Sequence, residues 1–316
     1  MCSSDLIENT CGTAPGIRAV FGNATIFVTP GVPREMVAMF QKSIVPELDR
    51  YSADRGVILT KKINTFGMGE STVGEKLGTL MARDRNPKVG TTVADGVVSI
   101  RIRAEFPTQA HAQEQMDDTI AQIQKILGPI VYSEESVTMQ ESLVALLKHK
   151  GVTVSTAESC TGGMLGAMFT DVPGSSAVFR GGWVVYSNLL KQSQLNVTEA
   201  QLKEFGAVSA PVAITMAQTA LSRSGADYAL SITGVAGPDG GSAEKHVGTV
   251  YIGVASRKSL PGSGSMCDAF RCQLTGDRDQ VRDRAAKSAM TLLRYAVLGL
   301  PLEIFSWGTR ESVAAK

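Results

Sequence analysis

At 316 residues the chain is long enough for two or three domains with their own cores, and its 43% hydrophobic and 19% charged content is ordinary for a globular protein. A formal net charge of +1 gives no electrostatic case for nucleic acid or an anionic membrane surface as the main partner. No apolar run approaches the roughly 20 residues of a membrane span and no secretory h-region opens the chain; five scattered cysteines and three separated histidines (His111, His149, His246) form neither a disulfide framework nor a zinc-ligand set, so a reducing cytoplasm is the expected location.

Residues 1–6 lack periodicity and read as a loose tail or as residues foreign to the gene. Residues 24–28 read as a short buried strand, which Pro30-Gly31-Val32-Pro33 breaks before an amphipathic helix over 35–48. One strand and one helix cannot close a core, so an upstream part is expected to be missing and apolar surface to be left exposed. Residues 52–134 read as a small α+β unit, with strands over 57–60 and 97–104 and a helix over 71–82. A further, exposed helix over 110–127 is expected to turn Ile120, Ile123, Ile126 and Leu127 inward. The turn Gly67-Met68-Gly69-Glu70 invites comparison with the GXXG loop that clamps RNA backbones, but it lacks the spacing and the basic residues, so an ordinary helix-entry turn is the better reading.

A larger α/β region begins near residue 135. A helix over 137–149 leads into the β-branched run Val152-Thr153-Val154-Ser155-Thr156, the composition of a buried strand. Further strands are expected over 181–186, 228–233, 247–255 and 266–274, with helices over 187–195, 210–222 and 278–298 and a loose tail over 301–316. Elements in this order predict a layered α/β sandwich with a mixed sheet, preceded by a small α+β domain and a fragment of an α/β domain.

Three polar loops follow strands: Glu158-Ser159-Cys160-Thr161-Gly162-Gly163, Tyr186-Ser187-Asn188-Leu189-Leu190-Lys191, and the Gly-rich run from Thr233 to Gly241. Ligands of open α/β sheets sit at strand carboxyl ends, so these loops are expected to meet around one pocket. Ser159 is a candidate nucleophile beside helix N-terminal amides that can hold an oxyanion; the plainer alternative is a Gly-rich turn with a Ser/Thr cap. No histidine lies in the loops to activate it. Lys191 is the alternative base, since a desolvated lysine loses its proton near neutral pH, although a lone helical lysine is usually solvated. Cys160 could compete as nucleophile, but a cysteine directly after a buried strand is more often inert core.

Five motifs in order resemble the CinA (competence/damage-inducible protein) family: Ala157-Glu158-Ser159-Cys160-Thr161-Gly162-Gly163, Tyr186-Ser187-Asn188 with Lys191, Gly206-Ala207-Val208-Ser209, the run from Gly234 to Gly241, and Val247-Gly248-Thr249-Val250. The resemblance is to that family's C-terminal nicotinamide mononucleotide deamidase domain and covers about residues 137–300. It implies a metal-independent amidohydrolase with Ser159 as nucleophile, Lys191 as base and Tyr186 assisting. It also implies an oxyanion hole from the amides of Thr161, Gly162 and Gly163, and nucleotide binding by Thr233, Gly234 and Arg278 or Arg282. His246 stands where the family usually has proline.

Earlier stretches resemble other parts of full-length members. Gly12-Thr13-Ala14-Pro15-Gly16 and Pro30-Gly31-Val32-Pro33-Arg34-Glu35-Met36 are similar to the end of a molybdenum-cofactor-biosynthesis-like domain. Phe66-Gly67-Met68-Gly69-Glu70-Ser71 and Asn86-Pro87-Lys88-Val89-Gly90-Thr91 are similar to the KH-like middle domain. The implied organisation is a truncated first domain over 1–50, a KH-like domain over 51–134, the deamidase domain over 135–300 and a tail over 301–316. The resemblance implies a substrate, nicotinamide mononucleotide, hydrolysed to nicotinate mononucleotide and ammonia in pyridine nucleotide recycling. No cofactor, metal, membrane or direct nucleic-acid partner is expected, and a homodimer is. The rivals are a remnant of a metal-dependent ADP-ribose pyrophosphatase, whose motifs this chain lacks, and a competence- or DNA-damage-linked interaction protein.

Overall fold

The computed structural model describes residues 3–49, 56–302 and 306–311. Expectations for residues 1–2, 50–55, 303–305 and 312–316 lie outside the described residues. The chain divides into two compact units, residues 1–58 with 105–112 and residues 59–104 with 113–316.

In the first unit, β1 (Ser3–Ile7), β2 (Gly16–Phe21) and β3 (Ala24–Val28) form an antiparallel sheet in that order. The β2–β3 connection is a two-residue turn with Gly22 at φ +60°, the geometry that suits a tight hairpin. Helix α1 (Pro33–Met39) starts on a proline and runs through a π-helical turn (Phe40–Ile44) into α2 (Val45–Asp49). Its core is small: Ile7, Met39 and Ile44, with Phe27 against them. The loose tail expected over 1–6 is corrected for its described part, because Ser3 to Leu6 pair in register with Val20 to Ile17. That register aligns Leu6, Ile17 and Val28 across the strands, and Leu6 is 74% exposed. Phe21 (71%) and Ile26 stand exposed on the same face, by the two-residue period of their strands.

Strand β4 (Val57–Thr65), helix α3 (Glu70–Leu77), β5 (Lys88–Ala94), β6 (Val97–Phe106), helix α4 (Gln109–Leu127) and β7 (Val131–Ser133) follow, the strands forming one sheet in the order β5-β6-β4-β7. Strands β5 and β7 are additions to the expected pair. Helix α4 buries Met116, Ile120, Ile123 and Leu127, whose three- and four-residue spacings make one face. Ile126 is a correction: it lies off that stripe and is 39% exposed.

Helix α5 (Met139–Lys150) opens the larger layer, set by a capping box between Thr138 and Glu141 and stopped by Gly151 in the left-handed region. Then come β8 (Val154–Glu158), α6 (Met164–Thr170), β9 (Phe179–Val184), α7 (Asn188–Leu195), α8 (Glu199–Phe205), α9 (Ala210–Ser224), β10 (Tyr228–Gly234), β11 (Thr249–Ser256), β12 (Cys267–Gln273), α10 (Arg278–Leu298) and β13 (Gly308–Glu311). Six of these strands form a mixed sheet in the order β13-β12-β11-β10-β8-β9. Strands β8, β9 and β10 are parallel, and β10 to β13 pair antiparallel.

One face of that sheet, with Leu230, Ile232, Val250 and Ile252, packs under α5, α6 and α10 through Leu143, Leu165, Ala289 and Leu293. The other face takes α9 through Val212, Met216 and Ala220, with Leu195 of α7. Helix α9 approaches closely because the contact is built from small groups. A Cβ on Gly253 would sit 2.6 Å from the Ala213 carbonyl oxygen, so alanine there would force the layers apart. Helix α10 also holds the four-stranded sheet: Lys287 donates to the Asp95 carbonyl (2.9 Å), and Arg294 to those of Pro129 and Val131 (both 2.8 Å). The expected loose tail over 301–316 is corrected for its described part. Residues 308–311 form β13 on the edge of β12, Leu302 is buried, and the Trp307 ring meets that of Phe66 edge-on at 5.4 Å.

Candidate active site

The parallel strands β8, β9 and β10 end side by side, and the loops that follow them surround a cleft of about 310 Å³. Ser159, Tyr186, Lys191, Thr233, Gly234 and Arg278 line it. The convergence expected from the three polar loops is therefore what the backbone builds.

Ser159 follows directly on β8, its N–H donating to Ile232 O (2.9 Å) as if the strand continued by one residue. The chain then turns sharply. Gly162 and Gly163 both adopt left-handed φ (+61° and +96°), which side chains rarely tolerate, and α6 starts at Met164. Lys191 reaches the serine from α7. Ser187 caps that helix by accepting the Leu190 N–H (3.2 Å), and the helix turns Lys191 and Leu195, four residues apart, into the protein.

Lys191 is buried, and its Nζ donates to Ser159 Oγ (2.9 Å) and to the Val185 carbonyl (3.0 Å). Burial holds its pKa below the ordinary lysine value, because desolvation penalises the ammonium. An amine that sheds its proton more easily, on a serine hydroxyl, is the arrangement of a general base on its nucleophile. Cys160, next along, is a different case: burial pushes its thiol up to about 12, so it is not a thiolate at neutral pH.

Glu158, the last residue of β8, has a place at the site that the sequence motifs alone do not assign to it. Its buried carboxylate accepts the N–H groups of Gly163 and Leu165 (both 3.0 Å) and of Gly166 (2.7 Å). The signal for it was a lone carboxylate ending a buried strand, a few residues before a helix N-terminus. The Gly163 amide, expected in an oxyanion hole, is thus committed to Glu158, and the Gly162 amide donates to Ser159 O (3.0 Å). The N–H groups of Cys160 and Thr161 find no backbone acceptor among the described residues. Thr161 itself is fully buried, and its hydroxyl has no partner among the described residues.

The two arginines separate. Arg278, in the first turn of α10, lines the cleft and donates to the Gly237 carbonyl (2.6 Å) and the Tyr186 hydroxyl (2.9 Å). Arg282, one turn further, donates instead to the Thr161 carbonyl (2.8 Å). Tyr186 stands 60% exposed on the rim, tied to Arg278. Thr233 is buried, and its hydroxyl donates to Ala207 O (2.8 Å). Asn188 and Asp239 also line the cleft. His246 is exposed and outside this lining. Among the described residues no group of three or more His, Cys, Asp or Glu could hold a metal ion, and no helix is long and apolar enough to cross a membrane.

Fold and site together define an α/β protein with a buried serine–lysine pair at the carboxyl ends of parallel strands in a mixed sheet. The chain belongs to the CinA family. Residues 136–297 match the family's C-terminal domain, and residues 60–133 match the damage-inducible protein CinA KH domain. A CinA-like protein of Dictyoglomus turgidum is 38% identical over 297 residues, covering 94% of this chain and 70% of the relative. One from Dictyoglomus thermophilum is 37% identical over the same shares. Among solved structures, a competence/damage-inducible protein from Agrobacterium tumefaciens is 37% identical, with a TM-score of 0.46, covering 51% of this chain and 96% of its own.

Proposed function

We propose that the protein is a nicotinamide mononucleotide deamidase working through Ser159 and Lys191. The observation that carries this reading is the 2.9 Å contact between Lys191 Nζ and Ser159 Oγ, made by a buried lysine with a lowered pKa. Lys191, in its neutral form, takes the hydroxyl proton as Ser159 Oγ attacks the carboxamide carbon. The resulting oxyanion is held by backbone N–H groups of the Ser159 loop. The C–N bond then breaks as the Lys191 ammonium returns the proton to the leaving nitrogen, which departs as ammonia. A water molecule, deprotonated by Lys191, attacks the acyl-serine. Its collapse releases nicotinate mononucleotide and restores the serine.

Arg278 is the group for the 5′-phosphate, because it lines the cleft and its present partners are a neutral carbonyl and a phenol, weaker than a phosphate dianion. Tyr186, released when Arg278 turns to the phosphate, is then available at the rim to assist. In this reading the small molecule is the partner, and pyridine nucleotide recycling in the cytoplasm is the setting. The test is ammonia release from the purified protein offered nicotinamide mononucleotide, nicotinamide riboside and nicotinamide. The mononucleotide should be turned over best, and absence of ammonia from all three overturns the proposal.

A further inference from the structure

The Ser159 loop is gripped from two sides by opposite charges. From its own strand, the Glu158 carboxylate takes the Gly163, Leu165 and Gly166 amides at 2.7–3.0 Å. From α10, the Arg282 guanidinium takes the Thr161 carbonyl at 2.8 Å. Between these holds, the Gly162 N–H closes the turn on Ser159 O. The amides from Gly162 to Gly166 are thereby committed, that of Met164 to the Thr161 carbonyl. On the strand side, the N–H groups of Cys160 and Thr161 find no backbone acceptor among the described residues; that of Cys160 meets its own sulfur, and Cys160 lines the cleft while Thr161 is buried next to it in the chain.

We propose that Glu158 and Arg282 are positioning residues, which together fix the turn so that the Cys160 and Thr161 amides, rather than those of Gly162 and Gly163, stabilise the oxyanion formed on Ser159. The inference rests on Ser159 being the nucleophile. A peptide amide serves a developing oxyanion only if its direction is set beforehand, since turning it during the reaction would consume the stabilisation. A turn with two left-handed glycines has little stiffness of its own. Glu158 supplies stiffness from below, fully desolvated, where a charge-assisted hydrogen bond is strongest. Arg282 supplies it from the side. Arg282 is thereby assigned to the loop, leaving the phosphate to Arg278.

Two measurements test this, one of them independent of the substrate. The first is the rate at which a fluorophosphonate labels Ser159, since its phosphonyl oxygen draws on the same amides. The second is steady-state ammonia release from nicotinamide mononucleotide. For Glu158→Gln we expect labelling and kcat both to fall about 10- to 100-fold, below the cost of losing an oxyanion donor outright. KM should stay within about threefold, and the ionisation seen in the pH profile of labelling should be that of the wild type. Labelling at the wild-type rate overturns the proposal. So does a displaced ionisation, which would mean that Glu158 acts on Lys191 and not on the amides.

Arg282→Met keeps the question open if Glu158→Gln does not fold. It should lower labelling and kcat with little change in KM. A KM raised tenfold or more at unchanged kcat would place Arg282 on the phosphate and overturn its role here. If the wild type releases no ammonia but labelling falls in both variants, the deamidase reading fails while the positioning roles stand.

Discussion

The two sheets at the ends of the chain are made from similar residues and end up in opposite states. Strand β11 in the large sheet has all eight residues buried, because α9 covers one face and α5, α6 and α10 the other. Among the described residues, the three-stranded sheet of the first unit has a core of Ile7, Met39 and Ile44, and its other face leaves Leu6, Ile17, Phe21, Ile26 and Val28 in solvent. A sheet covered on both sides can keep an amine dry at its edge and so alter its chemistry. A sheet covered on one side cannot, and it is the large sheet that carries Ser159 at the end of β8 and brings Lys191 to it from α7.

The sharpest test of this contrast is at the nucleophile. Ser159→Ala should lower deamidation by three orders of magnitude or more, as loss of one member of a nucleophile–base unit does. Cys160→Ala should keep most of the activity, since burial holds that thiol neutral. A dead Cys160→Ala with an active Ser159→Ala would mean thiol chemistry.

Next in size comes the base. Activity should climb with pH through a single ionisation below that of a free lysine, roughly 10.4, because the Lys191 ammonium is desolvated. Lys191→Arg should be nearly inactive throughout, as guanidinium keeps its proton. Plots of kcat/KM against pH for both proteins decide it, and a wild-type rate in the arginine variant removes Lys191 from the mechanism. Stability follows the same ionisation. A lysine with a depressed native pKa binds its proton more weakly than in the unfolded chain. The native state is therefore penalised below that pKa, and the penalty lifts between it and the ordinary lysine value. The thermal midpoint of wild type should rise relative to Lys191→Met over that interval.

The scaffold itself gives the smaller effects. Leu293→Ala, in the buried face of α10, should cost about 2–5 kcal/mol in a denaturant titration. Ile26→Thr, on the open face of the small sheet, should change stability by no more than about 0.5 kcal/mol. It should nonetheless reduce self-association measured by light scattering, because exposed apolar rows are sticky. A loss in the second comparable to the first would mean that this face is covered in solution.

Much of the large sheet was legible because its elements carry strong local signals. The β-branched run before Glu158, and the capped pattern of α10 from Arg278 to Leu298, each say what they are. Strand β13 was not legible: Gly308-Thr309-Arg310-Glu311 has no apolar period, and its pairing with β12 comes from the edge it meets. Strand β1 escaped for the same reason, its neighbour β2 supplying the register. At the site, the meeting of the loops followed from strand order, but Lys191's burial depended on which way α7 rolled. That the glycine amides would already be taken depended on where the Glu158 side chain folded back. Sequence spacing alone carries no information on either.

The hold of Arg282 on the Thr161 carbonyl has a consequence for biosynthesis. The two residues are separated by 121 positions, and the strand that completes the neighbourhood of β8, β10, also lies downstream of it. A ribosome therefore delivers Ser159 long before the groups that hold its loop. A chain stopped anywhere before α10 would carry Ser159 without the Arg282 hold on its loop, so on the proposed roles an unfinished or clipped product would lack the activity of the whole chain.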